Sequence, residues 1–217
     1  MNVTVDSSDG WLLVSVSTAG AAAALRVQVW RKLRSLGALY LQQSVCLLPA
    51  RDEVAREVRR LADRVRRQGG SFRLLHVVLA DEAERAQVVA EMNAARDEEY
   101  AEVLDRLPEF VAELDKERAR GRTTYAEVEE SEADLQRYRS WLAKITARDY
   151  FGAPGGAAAQ AAVTAAAAEL AAFEQAALIA EAPPDHLPPT GSGIRGAREA
   201  LAIAAVTAAP VTEVHKD

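Results

Sequence analysis

One cysteine is all the thiol chemistry this chain of 217 residues carries, which excludes an intramolecular disulfide and a thiolate-rich metal site. The three histidines, His76, His186 and His215, are spread too widely to match the short spacings of zinc ligands, so no metal is expected. Catalytic motifs are missing as well. There is no glycine-rich phosphate loop, no nucleophile elbow and no His-Glu pair on a helix, so neither an enzyme nor a cofactor is expected. The opening "MNVTVDSSDG" has neither the cationic nor the apolar region of a signal peptide. The longest low-charge stretch, Ala157 to Ala168, falls short of a bilayer span. A soluble cytoplasmic protein with no membrane partner is the expectation.

What is present is enough apolar residue, 49%, to bury a sizeable core without staples. The net charge of -6 argues, as an average, against a nucleic-acid partner. That average hides a division along the chain. Between Ala22 and Gly69 eleven Arg or Lys stand against four Asp or Glu, whereas between Asp81 and Ser140 eighteen acids stand against nine bases.

The basic part reads as alternating strand and helix. "WLLVSVS", Trp11 to Ser17, is a short run of β-formers after an Asp-Gly turn. Leu25, Val29, Leu33 and Leu36 recur at helical spacing, with Gly37 as the left-handed cap. "ALYLQ" and "SVCLLP" are two strands at hairpin spacing, and Pro49 stops the second. Val54, Val58, Leu61 and Val65 mark a second helix ended by Gly69 and Gly70, and Phe72 to Leu79 is a fourth strand. The order βαββαβ is that of a ferredoxin-like core with its first strand central and both helices on one face, placed at residues 8–80.

Residues 81–150 read as a helical hairpin packed on that core. Val89, Met92, Val103 and Leu107 form the inward stripe of its first helix, which Pro108 kinks or ends, and Val128, Leu135, Tyr138, Leu142 and Ile145 that of its second. "DYFGAPGG" is a loop, and residues 157–182 an alanine-rich helix with a thin stripe at Val163, Leu170, Phe173 and Ala177. Residues 183–217 read as flexible linker and tail with one short helix from Arg195 to Val206, dispensable for folding. The fold class is therefore α+β.

Several of these segments, in order, carry a resemblance: "WLLVSVS", "RVQVWRKLRSLGALYLQQSVCLLP", Gly69-Gly70, "AARDEEY" and "ARDYFGAPGG". Over about residues 11 to 156 the chain resembles the N-terminal domain family of the chromate resistance protein ChrB. The resemblance implies a cytoplasmic bacterial protein associated with chromate resistance, a DNA-binding regulator of a chromate efflux operon, with chromate or another oxyanion as effector. Two-domain members continue into a C-terminal domain. Here an Ala- and Pro-rich tail follows the loop instead, so the stand-alone form is expected.

Arginine supplies the candidate site. Arg56, Arg60, Arg64 and Arg67 lie opposite the apolar stripe of the second helix, Arg59 and Arg66 widen that face, and Arg31, Lys32 and Arg34 of the first helix extend it, with Arg26 nearby. Arginines arrayed on one exposed face contact successive phosphates. Two plainer readings stand beside this one. The face is solvated and salted by Asp52, Glu53, Glu57 and Asp63, some at i,i+4 spacing, or Arg26 and Arg31 pair with the acidic helices after residue 81. Arg148 and Asp149 are candidates for a small anion or effector pocket, against a reading in which Asp149 caps the turn while Tyr150 and Phe151 anchor the loop. Trp11 and Trp30 are expected in the core, Cys46 buried and inert, and His76 satisfied in a strand or at an edge. The competing function is a protein-interaction module without DNA binding, in which the helical hairpin and the alanine-rich helix serve a homodimer or another partner.

Overall fold

The structure is a computed structural model, and it describes residues 10–121 and 124–181. The linker, tail and short helix expected beyond residue 182 lie outside the described residues. Two units, Met1–Ala177 and Leu178–Asp217, divide the chain, and the second is described only over the last turn of one helix.

Four strands form one antiparallel sheet: β1 (Trp11–Ser17), β2 (Leu39–Gln42), β3 (Val45–Pro49) and β4 (Ser71–Val77), in the order β2-β3-β1-β4. As expected, β1 is central and pairs on both sides, Leu12 opposite Leu48 of β3 and His76 of β4. Alternation along the strands separates two faces. Helices α1 (Ala23–Ser35) and α2 (Asp52–Arg67) cover one, where Leu25, Val29, Leu33, Val58, Leu61 and Val65 bury Leu12, Val14, Cys46, Leu48 and Phe72. This is the ferredoxin-like arrangement read from the element order.

The reverse face is not bare. Trp11 and Leu47 are buried there beneath Val88 and Met92 of α3 (Glu82–Ala119). Val88, rather than Val89, is the buried member of that stripe, and Val89 packs at its margin. Pro108 neither ends α3 nor marks a boundary, because the helix runs unbroken past it. The lost backbone bond is offset by tertiary packing, since Leu107, Phe110 and Leu114 around it are all buried. Asp81 caps the start of α3 by accepting from the Glu84 amide at 2.9 Å.

α4 (Tyr125–Thr146) and α5 (Gly155–Glu181) complete a second core with α3. Leu135, Leu142 and Ile145 of α4 meet Tyr100, Val103 and Leu107 of α3, and the Tyr138 hydroxyl donates to the Arg106 carbonyl at 3.1 Å. The alanine-rich helix begins at Gly155, and its residues Ala159, Val163, Ala166, Leu170, Phe173 and Ala177 alternate at fours and threes and are all buried. One expectation is corrected here. Gly155–Ile179 is long and apolar enough to cross a membrane by length and composition, because Glu169 and Glu174 do not interrupt the stretch enough to exclude it. In this fold its apolar stripe is spent on the helical core.

A second correction concerns Trp30, which is 47% exposed rather than in the core. It follows Val29 by one residue, about 100° around the helix, and so leaves the face that Leu25, Val29 and Leu33 give to the sheet.

Gly37 follows α1 at φ +72° in a tight corner. A Cβ there would meet Arg96 Nη1 at 3.0 Å and the Arg148 carbonyl oxygen at 3.1 Å. Gly69, at φ +82° after α2, has nothing within 4 Å of the same position. Gly37→Ala is therefore expected to lose about 2–4 kcal/mol, and Gly69→Ala about 1 kcal/mol for the left-handed backbone alone, measured by denaturant melts. Equal losses would mean that packing at Gly37 adds nothing.

Candidate nucleic-acid interface

All six arginines of α2 are exposed. Their surroundings divide them into two flanks. On one, Lys32 Nζ of α1 meets Glu57 Oε2 at 2.6 Å, so the ridge of Glu57, Arg60 and Arg64 faces α1. Arg31 and Arg34 on α1 thus lie on the same side of the sheet as Arg56, Arg60, Arg64 and Arg67. On the other flank Arg66 Nη2 donates to the Phe72 carbonyl at 3.1 Å, which ties that arginine to β4 and takes it out of the outward array.

Acids salt the surface only in part, and at i,i+3 rather than i,i+4. Arg60 pairs with Glu57 at 2.6 Å and Arg66 with Asp63 at 3.5 Å, while Arg56 stands 3.9 Å from Glu53. Arg34 lies over the Trp30 ring at 4.9 Å. Among the described residues Arg31, Arg59, Arg64 and Arg67 make no ion pair or side-chain hydrogen bond, and Arg26 makes none either. The pairing of Arg26 and Arg31 with the acidic helices is accordingly not found. Several of those acids pair along their own helices instead, as Glu102 does with Arg106 and Glu113 with Lys116.

The Glu57 carboxyl is held below its ordinary range, first by the hydrogen bond from Lys32 and then by the Lys32 charge, with Arg60 adding to both. A carboxyl lowered on folding stabilises above its unfolded pKa and loses that contribution as pH falls through the lowered value. The tie between α1 and α2 is thus intact at neutral pH and lost only in acid. NMR titration should place the Glu57 midpoint below that of a free Glu, and Lys32→Ala should move it back up. An unchanged midpoint in that variant would assign the shift to another cause.

Arg148 and Asp149 are committed to contacts within the protein. Asp149 accepts from the amides of Gly152 and Ala153 at 2.9 and 3.0 Å and from the Tyr100 hydroxyl at 3.0 Å, which is the turn-cap reading. Burial holds the Tyr100 phenol above its ordinary range. Arg148 Nη2 meets Glu99 Oε2 at 2.8 Å, and Arg96 Nη2 meets the other oxygen of Glu99 at 3.0 Å. Tyr150 donates to the Leu36 carbonyl at 2.8 Å beneath the Arg51 guanidinium, and Phe151 stacks on Trp11 at 5.6 Å. Asp97 accepts from the Gly155 amide at 2.7 Å. The segments "AARDEEY" and "ARDYFGAPGG" therefore clasp each other, and together they hold the helices to the sheet. Arg96, Asp97, Glu99 and Tyr100 escaped the sequence reading as site residues. Their only signal was the recurrence of Arg-Asp with a nearby Tyr in both segments.

Cys46 is buried, and burial pushes its thiol up to about 12. Among the described residues no three His, Cys, Asp or Glu side chains gather as metal ligands.

The family model described as Protein ChrB, N-terminal, matches residues 26–182. Protein ChrB of Cupriavidus metallidurans is 29% identical over 133 residues, which cover 61% of this chain and 37% of that relative. The matched part thus spans little more than a third of the relative's length. No solved structure matches.

Proposed function

We propose, for a chain that belongs to the ChrB N-terminal domain family, a role as a DNA-binding regulator associated with chromate resistance. The observation that carries the reading is the set of arginines without a partner among the described residues, Arg31, Arg59, Arg64 and Arg67, on the helices that cover the sheet in a chain whose net charge is -6. A negative chain is repelled by DNA unless its positive charge is gathered on one surface, and here it is gathered on α1 and α2. Arg56 and Arg60 extend that surface along α2. Such a role needs no catalytic group and places the protein in the cytoplasm. The alternative, a protein-interaction or dimerisation module built on the helical hairpin and α5, has less to draw on. The apolar stripes of those helices are buried against one another.

The test is fluorescence anisotropy of a labelled duplex from upstream of the chain's own operon, beside a scrambled duplex of equal length. A regulator should prefer the upstream duplex by about a hundredfold or more at about 0.15 M salt. Equal affinity for both would reduce the reading to unspecific binding, and no affinity for either would refute it.

A further inference from the structure

We infer that the cleft between α1 and the β2–β3 end of the sheet is a binding site for a small planar anion, that is, an anionic group carried on an aromatic ring. The cleft encloses about 740 Å³, within the range of small-molecule sites, and Arg26, Val27, Trp30 and Arg31 of α1, Tyr40 of β2 and Ser44 of the turn line it. It goes beyond DNA binding, and its test does not depend on that reading.

Each requirement on the ligand comes from a different lining group. Arg26 and Arg31 have no ion pair or hydrogen bond among the described residues, and none of the described lining residues is acidic. Two uncompensated guanidiniums at one cleft select an anion and disfavour a cation. Trp30 and Val27 leave 47% and 46% of their surfaces in water, an apolar area that a flat ring would cover. The Arg34 guanidinium over the indole already shows the stacking geometry that this ring supports.

Tyr40 supplies the observation least explained by the protein alone. Its hydroxyl is buried without a hydrogen-bond partner among the described residues. A buried hydroxyl left unmet is unfavourable, and a shift of the Tyr40 ring toward the cleft that it lines would bring it to an acceptor atom on a ligand. Burial pushes the phenol up to about 12, so at neutral pH it is a donor.

Two sources share this chemistry, a nucleoside phosphate and an aromatic carboxylate. Calorimetric titration of the full chain with adenosine monophosphate, salicylate and inorganic phosphate separates them. One of the two aromatic anions should bind saturably, at least about tenfold more tightly than phosphate, and whichever binds identifies the source. Arg26→Gln with Arg31→Gln should weaken that binding by about tenfold or more. Tyr40→Phe should weaken it severalfold while leaving the melting temperature unchanged or raised, because the folded hydroxyl has no partner among the described residues to lose. Saturation by neither aromatic anion up to about 10 mM would overturn the site. So would phosphate binding equally well, affinities unchanged in the variants, or a lowered melting temperature in Tyr40→Phe.

Discussion

Replacing Glu99 with Ala is expected to destabilise the fold by about 3 kcal/mol and to lower the melting temperature by about 6–12 °C. Its carboxylate receives Arg96 at 3.0 Å and Arg148 at 2.8 Å, and the three side chains are only 23%, 11% and 18% exposed. Both arginines also have a buried Nε without a partner, so the carboxylate is their main compensation among the described residues. Removing it leaves two guanidiniums facing each other where water enters poorly. The partial exposure of Glu99 places the loss at the low end of the range for buried pairs. Glu102, three residues along α3, is the control. Its pair with Arg106 has side chains 51% and 59% exposed, and Glu102→Ala should cost less than about 0.5 kcal/mol. Adding Arg148→Ala to Glu99→Ala should recover part of the loss, because one uncompensated charge leaves with it. Equal, small losses for Glu99 and Glu102 would show that the clasp does not hold the helices to the sheet.

Replacing Arg56, Arg60, Arg64 and Arg67 together with Gln should weaken duplex binding by roughly a hundredfold at about 0.15 M salt. The same change should move the melting temperature by less than about 2 °C. Stability is spared because the pairs lost among the described residues are surface ones, Arg60 with Glu57 and the longer approach of Arg56 to Glu53. Affinity falls because each guanidinium that neutralises a phosphate contributes through the counterions it releases. Duplex affinity unchanged in the quadruple variant would remove this face from the reading. A collapse of the melt would show that the arginines are structural.

How much of this was legible in the sequence depends on range. The βαββαβ order follows from local patterns: a run of β-formers in "WLLVSVS", helical spacing in Val54, Val58, Leu61 and Val65, and glycines where chains turn. Trp30 misled because an aromatic residue beside Val29 reads as core, and nothing local shows that the neighbouring surface is an open cleft. Pro108 misled for the opposite reason. A strong local stop is overridden by Leu107 and Phe110, whose burial depends on distant helices. The clasp was beyond periodic reasoning, since Glu99 and Arg148 stand 49 residues apart and no spacing rule joins them. The outward arginines of α2 were visible because amphipathicity is local. Which of them lack partners was not, since that depends on Lys32 reaching Glu57 from another helix and Arg66 reaching the backbone of β4.

The salt dependence of duplex binding tests the central claim most directly, because an arginine face that holds phosphates must release counterions. The logarithm of the association constant, measured by anisotropy from about 50 to 200 mM salt, should fall linearly with the logarithm of salt at a slope of about -3 or steeper. In the quadruple variant the slope should shrink by about one unit for each phosphate contact removed. No measurable duplex affinity at about 50 mM salt, or the same slope in both proteins, would contradict the assignment of DNA binding to this face.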